Sequence, residues 1–326
     1  MRENVNGIRK KASRTGESMI KYYHGAQRNG PYFEGWYLKY QTKDGSALAL
    51  IPALHIDSMG QRTASLQVIS DNQTWWLEYP EMDFSASERR FQICIGKSIF
   101  NDYGAWLGVE RDGLSLHGTL HHGLFVSLKS DIMGPFRFFS EMECSHGVIS
   151  MGHRLDGTLT LNGETLDFSG GIGYVETDRG RSFPSAYLWT QCAWREPHRG
   201  SLMLSIATIP LARGQFTGCI CAVLYHGREY RLATYRGIRI KHWSERGALI
   251  QQGKYRLAVE VLEGQGHPLR APVEGDMSRI IHESLCATVR YRFWVGEALL
   301  LEHIDPYASF EYANKTQATN SHPYHD

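Results

Sequence analysis

Three stretches of the sequence place an acid or an amide two residues from an aromatic side chain, at 33–41, 170–180 and 186–194. In an extended strand, side chains two positions apart point to the same face. The groups that then share a face are Glu34 with Trp36, Tyr174 with Glu176 and Asp178, and Tyr187 with Trp189 and Gln191. Such faces predict an apolar pocket with a few converging polar groups, which is typical of a small-molecule site.

Glu176 and Asp178 are the candidate acids of this pocket. Two residues of a strand separate them by about 7 Å. If both enter a dry cavity, burial and mutual repulsion raise at least one pKa and give a proton donor near neutral pH. The alternative is a solvated turn before Arg179, with an Asp–Arg pair at the surface.

The histidines and short motifs give no cofactor or metal site. His117 and His121 share a strand face, but they lie roughly 14 Å apart and cannot bind one ion together. The sequence contains no GxSxG, no GxxxxGK and no strand–GxGxxG–helix unit. We therefore expect neither a metal nor a cofactor, and nucleotide chemistry and a hydrolase triad are disfavoured.

The elements that position these residues are predicted to be strands. Alternating stretches are separated by hairpin dipeptides, and a helical period is almost absent. The dipeptides are Asp44-Gly45, Asp112-Gly113, Asp156-Gly157, Asn162-Gly163 and His226-Gly227. Turn signals at this frequency predict an all-β protein of antiparallel sandwich or barrel type.

The chain length of 326 residues favours two domains. A polar stretch with Pro and Gly at 195–200 is the candidate boundary. The prediction is a disordered basic arm at 1–20, an N-terminal β-domain at 21–195, a C-terminal β-domain at 196–313 and a disordered tail at 314–326.

Charge and composition limit the partners. Lys and Arg number 35 against 34 Asp and Glu, so the net charge of +1 disfavours a nucleic-acid binder. No apolar run approaches the length of a membrane span, and the first residues lack a secretory signal pattern. Six scattered cysteines without a CxxC pair favour a reducing compartment. We expect a cytoplasmic protein, with or without peripheral membrane contact, whose partner is a small lipophilic ligand.

Three motifs resemble the tocopherol cyclase family. Residues 33–37, FEGWY, are similar to a FEGWYF signature near the start of that family. The stretch 174–184, followed by LWTQC at 188–192, resembles its YxEKNWGxxFP…WVQCN segment, and PLRAP at 268–272 resembles its ALRAP stretch. The resemblance keeps the same order from about residue 22 to 312.

The resemblance implies two lipocalin-like β-domains, a fold similar to that of carotenoid 1,2-hydratases. It implies a reaction without cofactor, in which an acid protonates an alkene and a phenol oxygen captures the cation. Glu176 or Asp178 would donate the proton, and Glu34 or Gln191 would orient the phenol. The aromatic residues that would shield the cation are Trp36, Tyr174 and Trp189; Tyr187 and Arg270 would contact the substrate.

Two positions depart from the family pattern. Arg179 stands where the family has Trp, which implies a different substrate, one with an anionic group. Asp178 stands where the plant enzymes have Asn, so Glu176 is the preferred donor.

Three functions remain open at this stage. The first is a cyclase or hydratase acting on a prenylated or otherwise lipophilic substrate. The second is a carrier of lipophilic ligands, whose carboxylates would all face solvent or pair with Arg. The third is a glycan-contacting sandwich with Trp75, Trp76 and Trp106 in an open patch. An alternative interpretation is that Glu34 and Trp36 stabilise the fold and take no part in catalysis, with Trp36 closing one end of a barrel.

Overall fold

The structure, a computed structural model, describes residues 21–139, 142–195, 198–211, 214–264 and 266–314. The arm predicted at 1–20 and the tail from 315 onwards lie outside the described residues. The all-β prediction is confirmed: the described chain folds into two large antiparallel sheets.

The first sheet contains twelve strands, in the order β4-β3-β2-β1-β12-β10-β9-β8-β7-β6-β5, with β11 paired to β10. Its strands are β1 Tyr32–Gln41, β2 Ala47–Ile56, β3 Arg62–Ser70, β4 Thr74–Pro80, β5 Phe84–Ala86, β6 Gln92–Ile95, β7 Ser98–Asn101, β8 Gly104–Arg111, β9 Leu114–His122, β10 Cys144–Leu161, β11 Glu164–Asp167 and β12 Ile172–Gly180.

The second sheet contains ten strands, in the order β16-β15-β14-β13-β22-β21-β19-β18-β17, with β20 paired to β21. Its strands are β13 Tyr187–Trp194, β14 Gly200–Leu211, β15 Gly214–Tyr225, β16 Arg228–Ala233, β17 Arg239–Ser244, β18 Gly247–Gln252, β19 Tyr255–Glu263, β20 His267–Val273, β21 Asp276–Val295 and β22 Ala298–Ala313.

Helical structure in the described ranges is confined to short 3₁₀ turns, at Gly25–Gln27, Glu81–Asp83, Gly134–Phe138 and Thr234–Arg236. None of the described helices is long and apolar enough to cross a lipid bilayer.

The boundary predicted at 195–196 lies between two strands of the second sheet. The stretch around Arg195 connects β13 to β14, and these two strands pair with each other inside the second sheet. The chain leaves the first sheet after Gly180 and enters the second at Tyr187.

Four of the five hairpin dipeptides connect neighbouring strands. Asp112-Gly113 joins β8 to β9 with φ of 53° and 76°, the doubly positive pattern of a type I′ turn. Asp156-Gly157 is the exception, because it lies inside β10. There the Cβ of any other residue at 157 would lie 2.3 Å from the Thr119 carbonyl oxygen, so Gly157 permits close approach of two strands.

Each sheet surrounds its own apolar core, and a third core lies between the sheets. The first sheet encloses residues such as Trp36, Leu50 and Phe100, and the second encloses Leu204 and Phe293. The interface core contains side chains from both sheets, including Tyr37, Met151, Tyr174, Trp189 and Met203. Central strands such as β1 and β13 are therefore buried on both faces.

Candidate functional site

A cavity of about 160 Å³ lies in the interface between the two sheets. Most of its lining is apolar, and much of that is aromatic, with Phe136, Phe183, Tyr187 and Trp189 in its wall. Its polar lining includes four carboxyl groups from both sheets, which are Glu176, Asp178, Glu283 and Glu311. The cavity is therefore a largely apolar space bordered by several acids.

Glu176 occupies the middle of β12 and is 4 % exposed. The Tyr174 hydroxyl donates a hydrogen bond to Glu176 Oε2 at 2.5 Å, and the Trp189 indole N–H donates to the same oxygen at 3.3 Å. The tyrosine precedes Glu176 by two residues on one strand face, whereas the tryptophan comes from the second sheet. Glu176 is thus held by side chains from both sheets.

His146 joins the two acids of β12. It lies opposite Asp178 in the β10–β12 register. Its Nδ1 is 3.0 Å from Asp178 Oδ1, and its Nε2 is 3.2 Å from Glu176 Oε2, close enough for an ion pair but not aligned for a hydrogen bond. The imidazole therefore lies between the two carboxyl groups, hydrogen-bonded to Asp178 and within ion-pair distance of Glu176.

Burial and charge act together on this cluster. Burial raises the pKa of Glu176 because the carboxylate loses its hydration, and it does so despite the opposing charge of His146. Burial opposes the charged form of His146, but the neighbouring Asp178 and Glu176 carboxylates raise the pKa of the imidazole well above its usual value. Glu176 therefore holds its proton more strongly than an exposed glutamate does, and His146 holds its proton more strongly than an exposed histidine does.

A second acid, Glu283 on β21, faces the same cavity and is 1 % exposed. It accepts a hydrogen bond of 2.5 Å from the Tyr37 hydroxyl. Burial raises the pKa of Glu283 to about 7. Glu311 on β22 is also buried, accepts a hydrogen bond from Tyr187, and has its pKa raised by burial and by Glu283.

The cluster of His146, Glu176 and Asp178 also has donors for a metal ion. One nitrogen and two oxygen atoms of these residues lie within 4.8 Å of one another. His and carboxylate ligands suit a divalent ion such as zinc. Both ring nitrogens of His146, however, already face a carboxylate oxygen, at 3.0 Å for Asp178 and 3.2 Å for Glu176. The absence of a metal from the reaction stays a prediction.

Five of the residues singled out from the sequence line the cavity, and they are Glu176, Asp178, Tyr187, Trp189 and Arg270. Tyr174 lies beside them and reaches the site through its bond to Glu176. Arg270 stacks its guanidinium 5.0 Å above the Trp76 ring. The solvated turn considered for Glu176 is not observed, because β12 is buried there.

Glu34 and Trp36 do not reach this cavity. They lie on the opposite face of β1, where Trp36 packs in the first core against Tyr23 and Phe84. Glu34 is fully buried and accepts hydrogen bonds from the backbone N–H of His24 and the hydroxyl of Tyr32. These contacts support the reading of Glu34 and Trp36 as fold residues.

Gln191 and Arg179 also lie away from the cavity wall. Gln191 is 2 % exposed in the interface, and its Oε1 has no hydrogen-bond partner in the described part of the chain. Arg179 follows Asp178 and so points to the other face of β12. Burial raises the pKa of Tyr32 in the first core, and the nearby charge of the Arg179 guanidinium opposes this rise. Arg179 therefore lies near the first core and does not line the cavity.

The sequence analysis missed His146, Tyr37 and Glu283. Tyr37 belongs to the FEGWY motif, but it takes the face that alternates with Glu34 and Trp36. His146 meets Glu176 only through the pairing of β10 with β12, and Glu283 is 107 positions further along the chain than Glu176. No local spacing signals either contact.

Comparison with solved structures shows the fold. A candidate AttH protein from Nitrosomonas europaea matches with a TM-score of 0.52 and 11 % identity, over 86 % of this chain and 92 % of that one. Kievitone hydratase from Nectria haematococca matches with a TM-score of 0.52 and 10 % identity, over 92 % of this chain and 95 % of that one. No family model matches the sequence, and no curated protein matches it. This chain shares their lipocalin-like, two-sheet architecture.

Proposed function

We propose that the protein is an acid catalyst of the tocopherol cyclase or hydratase kind, acting on a lipophilic substrate that carries an alkene. The observation that carries the proposal is the buried Glu176 carboxyl, held by Tyr174, Trp189 and His146 at an aromatic cavity between the sheets. A buried carboxyl that stays protonated near neutral pH is a suitable general acid.

The reaction needs no redox change. Glu176 gives its proton to one alkene carbon, a C–H bond forms, and the other carbon becomes a tertiary cation. A phenol oxygen of the same molecule, or a water, then forms the C–O bond and loses its proton. That proton restores the Glu176 carboxyl, directly or through His146, so the net change is ring closure or addition of water.

The cavity wall suits a cationic intermediate. The rings of Trp189 and Tyr187 line the cavity, and Tyr37 packs against Trp189 with ring centres 5.2 Å apart. Aromatic faces attract a cation, and the attraction is stronger in a desolvated site. The carboxylate left on Glu176 adds an opposite charge next to the reacting carbon.

The cavity volume limits what can enter. An apolar cavity of roughly 150 Å³ binds benzene in another protein. The 160 Å³ cavity accordingly fits one ring or a short branched alkene, and the rest of a long prenyl chain would extend beyond it. We therefore favour a compact prenylated phenol as substrate.

The carrier function predicts carboxylates that face solvent or pair with Arg, and Glu176 and Glu283 do neither among the described residues. The glycan-binding function predicts an open patch of indoles. Trp75 is buried, and Trp76 and Trp106 are only partly exposed. These observations favour the catalytic proposal over both alternatives.

Turnover in D₂O tests the proposal. The protein is incubated with prenylated phenols and prenylated hydroquinones, and products are analysed by mass spectrometry and NMR. We expect a cyclic ether or a tertiary alcohol with one deuterium on the carbon next to the new C–O carbon. Binding of these compounds with full recovery of unlabelled starting material would instead identify a carrier.

A further inference from the structure

A second space between the sheets lies at the other end of their interface. This cleft measures about 630 Å³ and is bordered by β10, β12, β13 and the β15–β16 hairpin. Ile172, at the start of β12, lines the cleft, whereas Asp178, near the end of that strand, lines the cavity. Six strand residues separate the two sites by roughly 20 Å.

The cleft is lined by five cationic side chains, which are Lys129, Arg154, Arg195, Arg199 and Arg228; we call it the basic cleft. Glu229 is the one acid in its described lining. Its carboxylate is already engaged, because Oε1 lies 2.7 Å from Arg231 and Oε2 accepts the backbone N–H of Lys129 at 2.8 Å. The basic cleft therefore has a surplus of positive charge.

Two of the arginines are fixed by backbone carbonyl groups. Arg195 donates to the Gly171 oxygen at 2.5 Å, and Arg199 donates to the Gly152 oxygen at 3.0 Å. Each guanidinium has five N–H donors, so several donors of each remain for a ligand. Lys129 and Arg228 have no ion-pair partner in the described part of the chain.

Three arginines of the basic cleft, Arg154, Arg195 and Arg199, lie close enough to repel one another. Burial lowers the pKa of Arg195, and the nearby Arg199 and Arg154 guanidinium groups lower it further. Arg154 has an ion-pair partner in Asp156, at 3.0 Å, whereas the hydrogen bonds of Arg195 and Arg199 among the described residues go to carbonyl oxygens. An anion between these groups would relieve the repulsion.

We propose that the basic cleft binds a small molecule through a phosphate or pyrophosphate group. Arginine forks match phosphate oxygens in pairs, and lysine adds a point charge. The volume falls within the range of small-molecule sites, and the partly apolar Trp194 and Tyr225 supply a surface for the organic part. Because the cationic groups come from both sheets, the ligand would bridge them.

Isothermal titration calorimetry with inorganic pyrophosphate and inorganic phosphate tests this site. The test variant combines Lys129→Gln with Arg228→Gln, since neither side chain has an ion-pair partner that the exchange would disrupt. We expect pyrophosphate affinity to fall about tenfold in this variant, as for loss of charged hydrogen bonds. We also expect the affinity of the wild-type protein to weaken as salt is added.

A matched control removes two positive charges elsewhere. Arg239 and Lys241 are exposed on β17, and Arg239→Gln with Lys241→Gln makes the same change in net charge. The control should bind pyrophosphate as the wild type does. Equal weakening in the two double variants, or no pyrophosphate binding by the wild type at millimolar concentration, would overturn the proposal.

The basic cleft is independent of the proposed reaction. Glu176→Gln should leave pyrophosphate affinity unchanged, because Glu176 lies four residues along β12 from Ile172 of the basic cleft, a separation of about 14 Å. Loss of turnover together with intact pyrophosphate binding in this variant would place the two activities in separate sites. A loss of pyrophosphate binding in Glu176→Gln would contradict the assignment to the basic cleft.

Discussion

Burial and neighbouring charge compete at Glu176 and Glu283, and burial has the larger effect at both. At Glu176 burial outweighs the attraction of His146, and the pKa of the carboxyl rises. At Glu283 burial outweighs both the Tyr37 hydrogen bond and the charge of Lys39, and the pKa rises to about 7. Glu176 and Glu283 therefore hold their protons more strongly than exposed glutamates, because their carboxyl groups lack water and a fully compensating cation.

The raised pKa of Glu283 has a consequence for stability. An unfolded glutamate titrates near 4.5, so the folded state holds this proton more tightly. The stabilisation is complete below the unfolded pKa and is lost as pH rises to about 7. A shift of that size corresponds to about 3 kcal/mol of unfolding free energy.

We predict that Glu283→Gln reduces the loss of unfolding free energy between pH 4.5 and pH 8, because glutamine does not titrate. Urea unfolding of the wild type and the variant at both pH values measures this change in the free energy of unfolding. Glu302→Gln, at an exposed position of β22, serves as control and should retain the wild-type pH dependence. An identical pH dependence in wild type and Glu283→Gln would show that Glu283 does not hold its proton in the folded state.

At the scale of the strand, alternation decides which residues take part in the site. The sequence patterns place Tyr174, Glu176 and Asp178 on one face, and the structure agrees. The same reasoning pairs Glu34 with Trp36, and they do share a face, but it is the face toward the first core. The two-residue alternation of a strand shows which side chains share a face. It does not show which of two buried faces contacts a ligand.

Substitutions of two buried tryptophans, Trp36 on β1 and Trp189 on β13, test which buried face takes part in the reaction. Trp36→Phe removes packing from the first core, and we expect it to lower the free energy of unfolding by about 1–3 kcal/mol without changing kcat. Trp189→Phe removes the N–H donor to Glu176, and we expect kcat to fall about tenfold with a smaller loss of stability. Thermal unfolding and steady-state turnover of the two variants measure both effects.

The reverse pattern would contradict the assignment of faces. A loss of kcat in Trp36→Phe at a temperature where the variant is folded would place the reaction inside the first core. Unchanged kcat in Trp189→Phe would remove its contact to Glu176 from the mechanism.

At the scale of the whole molecule, the sequence predicts two antiparallel β-domains, and the structure confirms the fold class. Turn dipeptides such as Asn162-Gly163 act locally, so their effect is readable from the sequence. The interface between the two sheets cannot be predicted from local sequence patterns, because it forms from strands that are far apart in the chain. The boundary predicted at 195–196 rests on local composition, which does not show that β13 and β14 pair with each other.

The interface also explains why the site was predicted only in part. Glu176 and Trp189 come from segments whose aromatic and acidic pattern is visible in the sequence. His146 and Glu283 reach the cavity through the β10–β12 register and the packing of one sheet on the other. Neither of these long-range arrangements leaves a local signal.

The central claim is that a carboxyl in the space between the sheets, and not one inside the first core, delivers the proton. Glu176 and Glu34 provide a matched test, since both are buried and both belong to the first sheet. Deuterium transfer from D₂O into the product is measured for Glu176→Gln and Glu34→Gln, with folding verified by circular dichroism. We predict that Glu176→Gln lowers the rate at least about a hundredfold and that Glu34→Gln keeps it. Wild-type deuterium transfer in Glu176→Gln, or its loss only in a folded Glu34→Gln, would contradict the claim.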